Sequence, residues 1–557
     1  MKETKMAKCN EEEEEEDRLS ALPDPILTDI ISRLPIKSAA ATAVLSHRWR
    51  HLWTGVTRLE FPVSGSHVAR IVHNLLRRLT SPKLFQFQLY LTSLSREGKK
   101  LQSFFRDIIR RNVEHVFIDV DCSDETLFRV PTCLFNSQSL LVLDLSGMIK
   151  FDLPEFGDDY DVGDFIQLPN LKRLDLNFLV DVPLWLGILI NSCPLLEHLD
   201  LTFVLDSADS LIEGPVDIRC PNLKSLRIEL ESSRQTECAR FHIDAPILTN
   251  LKINDDFSLY YFVTSPSTLV RACVELRKFT SVLCNDDDEL VDDEFGEVEY
   301  LQHMSKFIRG MSSVTNLNLE IESSTNILAY LYSVDDGFLQ IFSNLTHFET
   351  TLSGIGLSGW KDLLLLLQCF PNLKHLKVNM RGDPPPERNK WCVPNCVPDC
   401  LVTTLDKIHI SGLHGSEDDL KLLLEYILSN ANLLKELRLR VLHSRNIEEE
   451  LDNKAYTIWK DFQFCKLLFK LPRSQHLRKW FAVATRHVTR LGIRVESGIG
   501  KMSEGGRRIP EIKQKTLDLK IEVPIMKETE KEFRALSRRV GAPMVQKCGR
   551  DVAIRPS

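Results

Sequence analysis

The segments SLLVLDLS (139–146), NLKRLDLN (170–177), LLEHLDLT (195–202) and NLKSLRIE (222–229) share one pattern, L-x-x-L-x-L. NLKHLKVN (372–379) and LLKELRLR (433–440) repeat it far downstream. With other apolar residues admitted, the first position falls at Val56, Leu84, Val113, Leu140, Leu171, Leu196, Leu223, Leu248, Leu276, Val314, Leu345, Leu373, Leu405 and Leu434. The closing alternation has the period of a strand with one buried face. A short strand returning about every 25–30 residues is one unit of a stacked array, because a single unit cannot bury its own apolar face. Stacking gives a parallel sheet over one continuous core. The interleaved positions Asp144, Asp175, Asp200, Arg227, Lys252, Lys377 and Arg438 are then displayed on a common wall, a candidate surface for a protein target. ELRKFTS (275–281) and NLTHFET (344–350) lose the last apolar position, so a ragged sheet is expected there.

The rest of the composition fits such an array. The chain has 557 residues, 43% hydrophobic and 27% charged, with a net charge of −8. The mild acidity argues against a dedicated nucleic-acid binder. No apolar run approaches the ~20 residues of a membrane span, and no secretory h-region is present at the N-terminus. Fourteen cysteines in such a chain read as reduced thiols, placing it inside the cell, in nucleus or cytoplasm. Cys392, Cys396 and Cys400 lack the paired knuckle of a zinc site, and Asn285 to Glu299 lacks the glycine of a calcium loop. No nucleophile–base motif stands out. The expectation is a chain with no catalytic residues, no metal and no cofactor.

Ahead of the repeats, Asp24 is placed to N-cap a helix carrying Ile26, Leu27, Ile30, Ile31 and Leu34 at helical spacing, and Pro35 ends it. Ser38 is placed to cap a second helix, followed by Trp49, Leu52 and Trp53. These short helices bury too little surface alone, so some side chains should face a neighbour or partner. The string from Asp17 to Trp53 resembles the F-box of plant proteins, through Leu22-Pro23-Asp24, Ile26-Leu27, Leu34-Pro35, Thr42, Leu45-Ser46, Arg48-Trp49 and Leu52-Trp53. The resemblance implies a three-helix module that docks on a Skp-family adaptor, and through it on the cullin of a ubiquitin ligase. Leu22, Pro23, Ile26, Leu45, Trp49, Leu52 and Trp53 are the expected adaptor contacts or their immediate support.

The repeats are identified as irregular leucine-rich repeats, as in plant F-box proteins. WCVPNCVPDCL (391–401), Gly412, Gly415, Tyr426, Leu428, Asn430, Ala431, Leu434 and FCKLLFKLPRS (464–474) resemble the FBD domain that follows such repeats. The expected architecture is an α/β solenoid in five parts. Residues 1–16 are expected as a disordered acidic arm holding the glutamates 11–16, 17–54 as the F-box, 55–388 as the repeats, 389–475 as the FBD domain continuing the repeat architecture, and 476–557 as a basic tail, either a truncated repeat or disordered. The implied function is target recognition for an SCF-type ubiquitin ligase, with no membrane or nucleic-acid partner. The alternative is a repeat scaffold or decaying paralogue that binds a protein without ubiquitin coupling.

Overall fold

In the computed structural model many of the repeats open on a tight turn. The carbonyl three residues ahead of the first repeat leucine accepts that leucine's N–H: Leu168 from Leu171 (3.2 Å), Cys193 from Leu196 (3.1 Å), Cys220 from Leu223 (3.1 Å), Ala245 from Leu248 (3.1 Å) and Phe370 from Leu373 (3.2 Å). Pro169, Pro194, Pro221, Pro246 and Pro371 occupy the second turn position, where a φ fixed near −65° costs nothing. The structure describes residues 19, 21–63, 68–92, 105–121, 127–151, 166–178, 186–205, 215–232, 239–255, 258–279, 297–323, 341–353, 359–381, 397–413, 426–427, 429–441, 466–472, 494–497 and 516–522. The glutamates 11–16, residues 285–296 of the acidic stretch, Cys392, Cys396 and most of the tail lie outside them.

The chain divides into two units, the first mainly residues 1–213 and the second mainly 235–557, with residues 214–234 shared between them. The first unit holds β1 (Arg58–Val63), β2 (Gln86–Leu91), β3 (His115–Val120), β4 (Phe128–Val130), β5 (Val142–Gly147), β6 (Ile149–Phe151), β7 (Arg173–Phe178) and β8 (His198–Leu205). Its main sheet runs β1-β2-β3-β5-β7-β8, every pair parallel and in unbroken register. Leu143, Leu174 and Leu199 form one inward row and Leu145, Leu176 and Leu201 the next, all at most 2% exposed. Each such leucine contributes roughly 1.5–3 kcal/mol by leaving water. Phe61, Phe87, Phe105 and Phe128 continue the core as a chain of ring contacts, with centroids 5.7, 5.9 and 6.2 Å apart.

After β9 (Pro215–Arg219), at the junction, follow β10 (Ser225–Ser232), β11 (Arg240–Asp244), β12 (Asn250–Asp255), β13 (Leu259–Phe262), β14 (Arg271–Phe279), β15 (Asn316–Ser323), β16 (His347–Ser353), β17 (His375–Arg381), β18 (Lys407–Leu413), β19 (Glu436–Val441), β20 (Lys466–Pro472), β21 (Arg494–Ser497) and β22 (Thr516–Glu522). In the second unit β10-β12-β14-β15-β16-β17-β18-β19-β20 pair parallel in that order, while β22 is antiparallel to β20 and to β21. The mostly parallel sheet agrees with the repeat pattern, and two local expectations are corrected.

The repeat assigned to Leu276 begins seven residues earlier, at buried Leu269. Ala272, Val274 and Leu276 of β14 stand beside Leu251, Ile253 and Asp255 of β12. A small alanine at the second inward position hid this copy from a scan for large apolar side chains. NLTHFET is not ragged: β16 keeps register with β15 and β17, and Thr350 is buried in place of the missing leucine. The register shift between Leu276 and Phe279 falls within ELRKFTS, where a ragged sheet was expected.

An asparagine recurs one residue ahead of the pattern. Asn170, Asn222, Asn344 and Asn372 each donate Nδ2 to a turn carbonyl of the preceding repeat, Gln138 (2.7 Å), Pro194 (2.9 Å), Ser313 (3.4 Å) and Ser343 (2.8 Å). Neighbouring turns are thereby tied side chain to backbone.

At the N-terminus, α1 (Asp24–Ser32), α2 (Ile36–Ala41) and α3 (Trp49–Leu52) precede β1, and α4 (Val68–Arg78) follows it. Pro23, not Asp24, holds the cap position of α1, and Asp24 is already helical. Its carboxylate accepts from Arg48 instead (2.7 Å). Pro35, not Ser38, precedes α2. In both cases proline fixes the extended residue that launches the helix, and no side-chain cap is made.

Candidate functional site

Two kinds of surface emerge. The first is helical. Pro23 starts α1 so that Leu27 and Ile31 turn inward while Ile26, Ile30 and Leu34, four residues apart, turn out. Their exposures are 48%, 38% and 41%, and Val44 and Leu45 reach 86% and 63% in the turn after α2. Leu19 is also exposed. This density of large apolar side chains within 27 residues exceeds the scatter normal on a monomer surface. Of the sequence-named contacts, Pro23, Ile26 and Leu45 are exposed and Leu22 and Trp53 are half-buried. Trp49 and Leu52 are buried, so they support the face from beneath. Arg48 ties the face together, donating to the Asp24 carboxylate and the Leu22 carbonyl. Sequence reasoning left Leu19, Ile30, Leu34 and Val44 off the contact set. The Ile26–Ile30–Leu34 spacing was the available signal.

The second surface is the outward face of the strands. In the first unit one register row reads Glu60, Gln88, Phe117, Asp144, Asp175, Asp200, and the next carries Tyr90, Asp119, Ser146 and Asn177. Strands about 4.8 Å apart crowd these carboxylates. Burial, then the neighbouring Asp175 charge, pushes Asp144 up to about 6; Arg173 opposes this, and Asp119 and Asp200 add to it. Arg173 Nε donates to Asp175 Oδ2 (2.7 Å), and Asp175 Oδ1 is buried with no hydrogen-bond partner among the described residues.

In the second unit the equivalent row reads Arg227, Lys252, Cys273, Asn318, Glu349, Lys377, His409, Arg438. Its cations are neutralised in place. Arg227 and Lys252 both reach Glu229 at 2.7 Å, Lys377 pairs with Glu349, and Arg438 pairs with Glu436. Burial disfavours the Glu229 charge, but hydrogen bonds from Arg227 and Lys252 outweigh it and hold the carboxyl below its usual range. Burial, then the Arg438 charge, lowers His409. All seven sequence-named wall residues thus lie at this outward register position, three in the first unit and four in the second.

Cys273 stands in the outward strand row, where burial, then the Glu275 charge, pushes its thiol up to about 11. Burial pushes Cys220 and Cys400 up to about 12 and Cys369 up to about 11. Among the described residues no group of three His, Cys, Asp or Glu side chains is placed to hold a metal ion, and no helix is long and apolar enough to cross a membrane.

The family model for the F-box domain matches residues 19–61, spanning the exposed helical face, and that for FBD matches residues 393–439, spanning β18 and most of β19. The chain is 25% identical to one F-box/FBD/LRR-repeat protein of Arabidopsis thaliana over 81% of its own length and 96% of the relative's. It is 26% identical to a second from the same plant, over 81% and 99%, and 27% identical to a third, over 75% and 91%.

Proposed function

We propose, for a chain that carries the F-box and FBD domains of the plant F-box/FBD/LRR-repeat proteins, a role as the target-recognition subunit of an SCF-type ubiquitin ligase, working in nucleus or cytoplasm. The observation that carries this reading is the exposed row Ile26, Ile30, Leu34 with Val44 and Leu45. Those side chains gain by burial against a Skp-family adaptor. The strand faces then hold a protein target, as stacked repeats stiffened into a solenoid are suited to do. The chain itself does no chemistry. Holding a target beside a ubiquitin-charged enzyme raises the transfer rate by proximity and orientation alone.

The test is a pull-down of the full chain with a purified plant Skp-family adaptor. Ile26→Asp with Leu45→Asp should abolish capture while leaving the fold intact, because both side chains already face water. Substitution of Trp49 is the wrong probe, since it is 4% exposed and its loss opens the helical core. Failure of the folded wild type to capture any such adaptor would refute the ligase reading and leave a repeat scaffold.

A further inference from the structure

The outward strand face of the first unit differs from that of the second in how its charge is balanced. Across β3, β5, β7 and β8 the register-paired outward positions carry four carboxylates, Asp119, Asp144, Asp175 and Asp200, against one guanidinium, Arg173. Arg173 engages Oδ2 of Asp175 and leaves Oδ1 buried with no hydrogen-bond partner among the described residues. Asp119 and Asp144 make no hydrogen bond or ion pair among the described residues. From β10 to β19, by contrast, Arg227, Lys252, Lys377 and Arg438 are each met by a carboxylate of the chain itself. The first unit has the carboxylates and is short of cations. The rise of the Asp144 carboxyl to about 6, under burial and then the Asp175 charge, registers that shortage.

Aromatic rings border the carboxylates. Phe117 is the register neighbour of Asp144 and Tyr90 that of Asp119, and both rings are half-buried. This part of the first unit already holds one cation on a ring: the Arg58 guanidinium carbon lies 4.5 Å from the centroid of Phe85. Phe85 meets His115 at 4.5 Å, and His115 meets Phe117 at 6.4 Å. Carboxylates and aromatic rings are the side chains that hold lysine and arginine, the first by charge-assisted hydrogen bonds and the second through the ring quadrupole.

The spacing of the row selects the shape of what it holds. Neighbouring strands stand about 4.8 Å apart, so Asp144, Asp175 and Asp200 span roughly 10 Å. An extended chain laid across the strands carries same-side side chains about 6.8 Å apart. Two cations at alternate positions then fall among the three carboxylates, and the side chain one step back falls at Phe117. All of these residues belong to the first unit.

We propose that this face docks an extended segment of a partner protein that carries lysine or arginine at alternate positions, its cations seated along the row Phe117-Asp144-Asp175-Asp200 with Asp119 beside it. In taking that partner to be the target, the inference rests on the function proposed above. The partner supplies the cations that the second unit draws from its own strands. Complementarity of this kind steers the encounter and rejects acidic partners, which meet repulsion along the whole row.

The test uses the full chain and a fluorescent peptide of alternating lysine and serine, with no adaptor present. The peptide should bind the wild type at low salt and be released at 0.5 M salt, where the screening length falls to about 4–5 Å. Asp119→Asn with Asp144→Asn should weaken binding at least tenfold, and Asp144→Asn alone at least threefold. Neither carboxylate holds a partner within the described chain, and circular dichroism checks that the fold survives. Asp29→Asn with Asp107→Asn makes the same charge change at solvent-exposed helical side chains of the first unit and should alter the affinity less than twofold. Equal loss in the two double variants, the sign of attraction to net charge alone, would overturn the assignment of the surface, as would failure of the folded wild type to bind. A peptide with the same lysines in one block turns half of them away from the row and should bind more weakly; equal or tighter binding would overturn the extended arrangement. Adaptor capture is read separately, so peptide binding without it would leave this surface standing and the ligase reading refuted, and the reverse result the opposite.

Discussion

Replacing Asp144 by asparagine should stabilise the first unit at neutral pH. Asp144 stands mid-row with Asp175 and Asp200 on one side and Asp119 diagonally across on β3, and Arg173 is the cation that opposes them. Its carboxyl rises from 3.8 to about 6 on folding. At about 1.36 kcal/mol per tenfold change in proton affinity this is of order 3 kcal/mol, and partial exposure to solvent reduces it to about 1–1.5 kcal/mol. For an acid raised on folding, the folded form is favoured below the unfolded value near 3.8, and that advantage is lost as pH climbs through about 6. Asparagine removes the penalty. The variant should therefore exceed the wild type above pH 6.5, with the difference shrinking to nothing by about pH 4. Pulse proteolysis across a urea series, following a fragment of the first unit, reads this without assuming that both units unfold together. An equal gain at pH 4.5 and pH 7.5, or a loss at pH 7.5, would refute the electrostatic account of this row.

Gly147 has φ +92°, and a Cβ there would lie 2.0 Å from the Val120 carbonyl oxygen; Gly147→Ala should cost about 3 kcal/mol or more and lower the urea midpoint of the first unit. Arg111 satisfies the carbonyls of Leu76, Leu79 and Ser81 at the end of α4, so Arg111→Met should destabilise that helix by about 2 kcal/mol, seen as faster amide exchange in residues 68–78. Asn222→Ala and Asn372→Ala each remove one exposed tie between turns and should cost only about 0.5–1 kcal/mol; a larger loss would mean that the ladder carries more of the stacking than its exposure allows. Cys220 and Cys400, pushed up to about 12, should resist alkylation at pH 8 in the folded chain and react once it is unfolded in urea.

The parallel repeat was legible because its signal is redundant. Leu171, Leu174 and Leu176 state the same inward face three times, and the next repeat states it again. The reading slipped where a unit speaks weakly. Ala272 is too small to register as a core position although the strand pairing treats it as one, so the frame jumped to Leu276. Thr350 is polar by type yet buried by place, so a continuous strand read as a broken one. Helix caps were misread for a different reason. Asp24 and Ser38 have the right chemistry for caps, but Pro23 and Pro35 one and three residues earlier set the backbone first, and Arg48 then claims the Asp24 carboxylate. Burial within the F-box was beyond the pattern altogether. Trp49 and Val44 are both apolar residues on short helical turns, and only the packing of α1 against α3 decides that one is 4% exposed and the other 86%.

In the proposed reading, stability and recognition occupy different rows of the same strand, and this has a consequence for how such chains diverge. The inward rows ask only for apolar volume at three positions per repeat, a demand that leucine, isoleucine, valine, phenylalanine and even Thr350 meet. The outward row asks nothing of the fold, which is how Asp144, Asp175 and Asp200 come to stand in line at an electrostatic cost. A purely structural requirement would not line up three carboxylates where Ser146 and Asn177, one row away, serve the sheet as well. Relatives about one quarter identical over most of their length are therefore compatible with one shared framework carrying different faces. In that reading the specificity of this chain is to be sought in the charge order of its outward rows, acidic along β5, β7 and β8 and internally neutralised from β10 to β19.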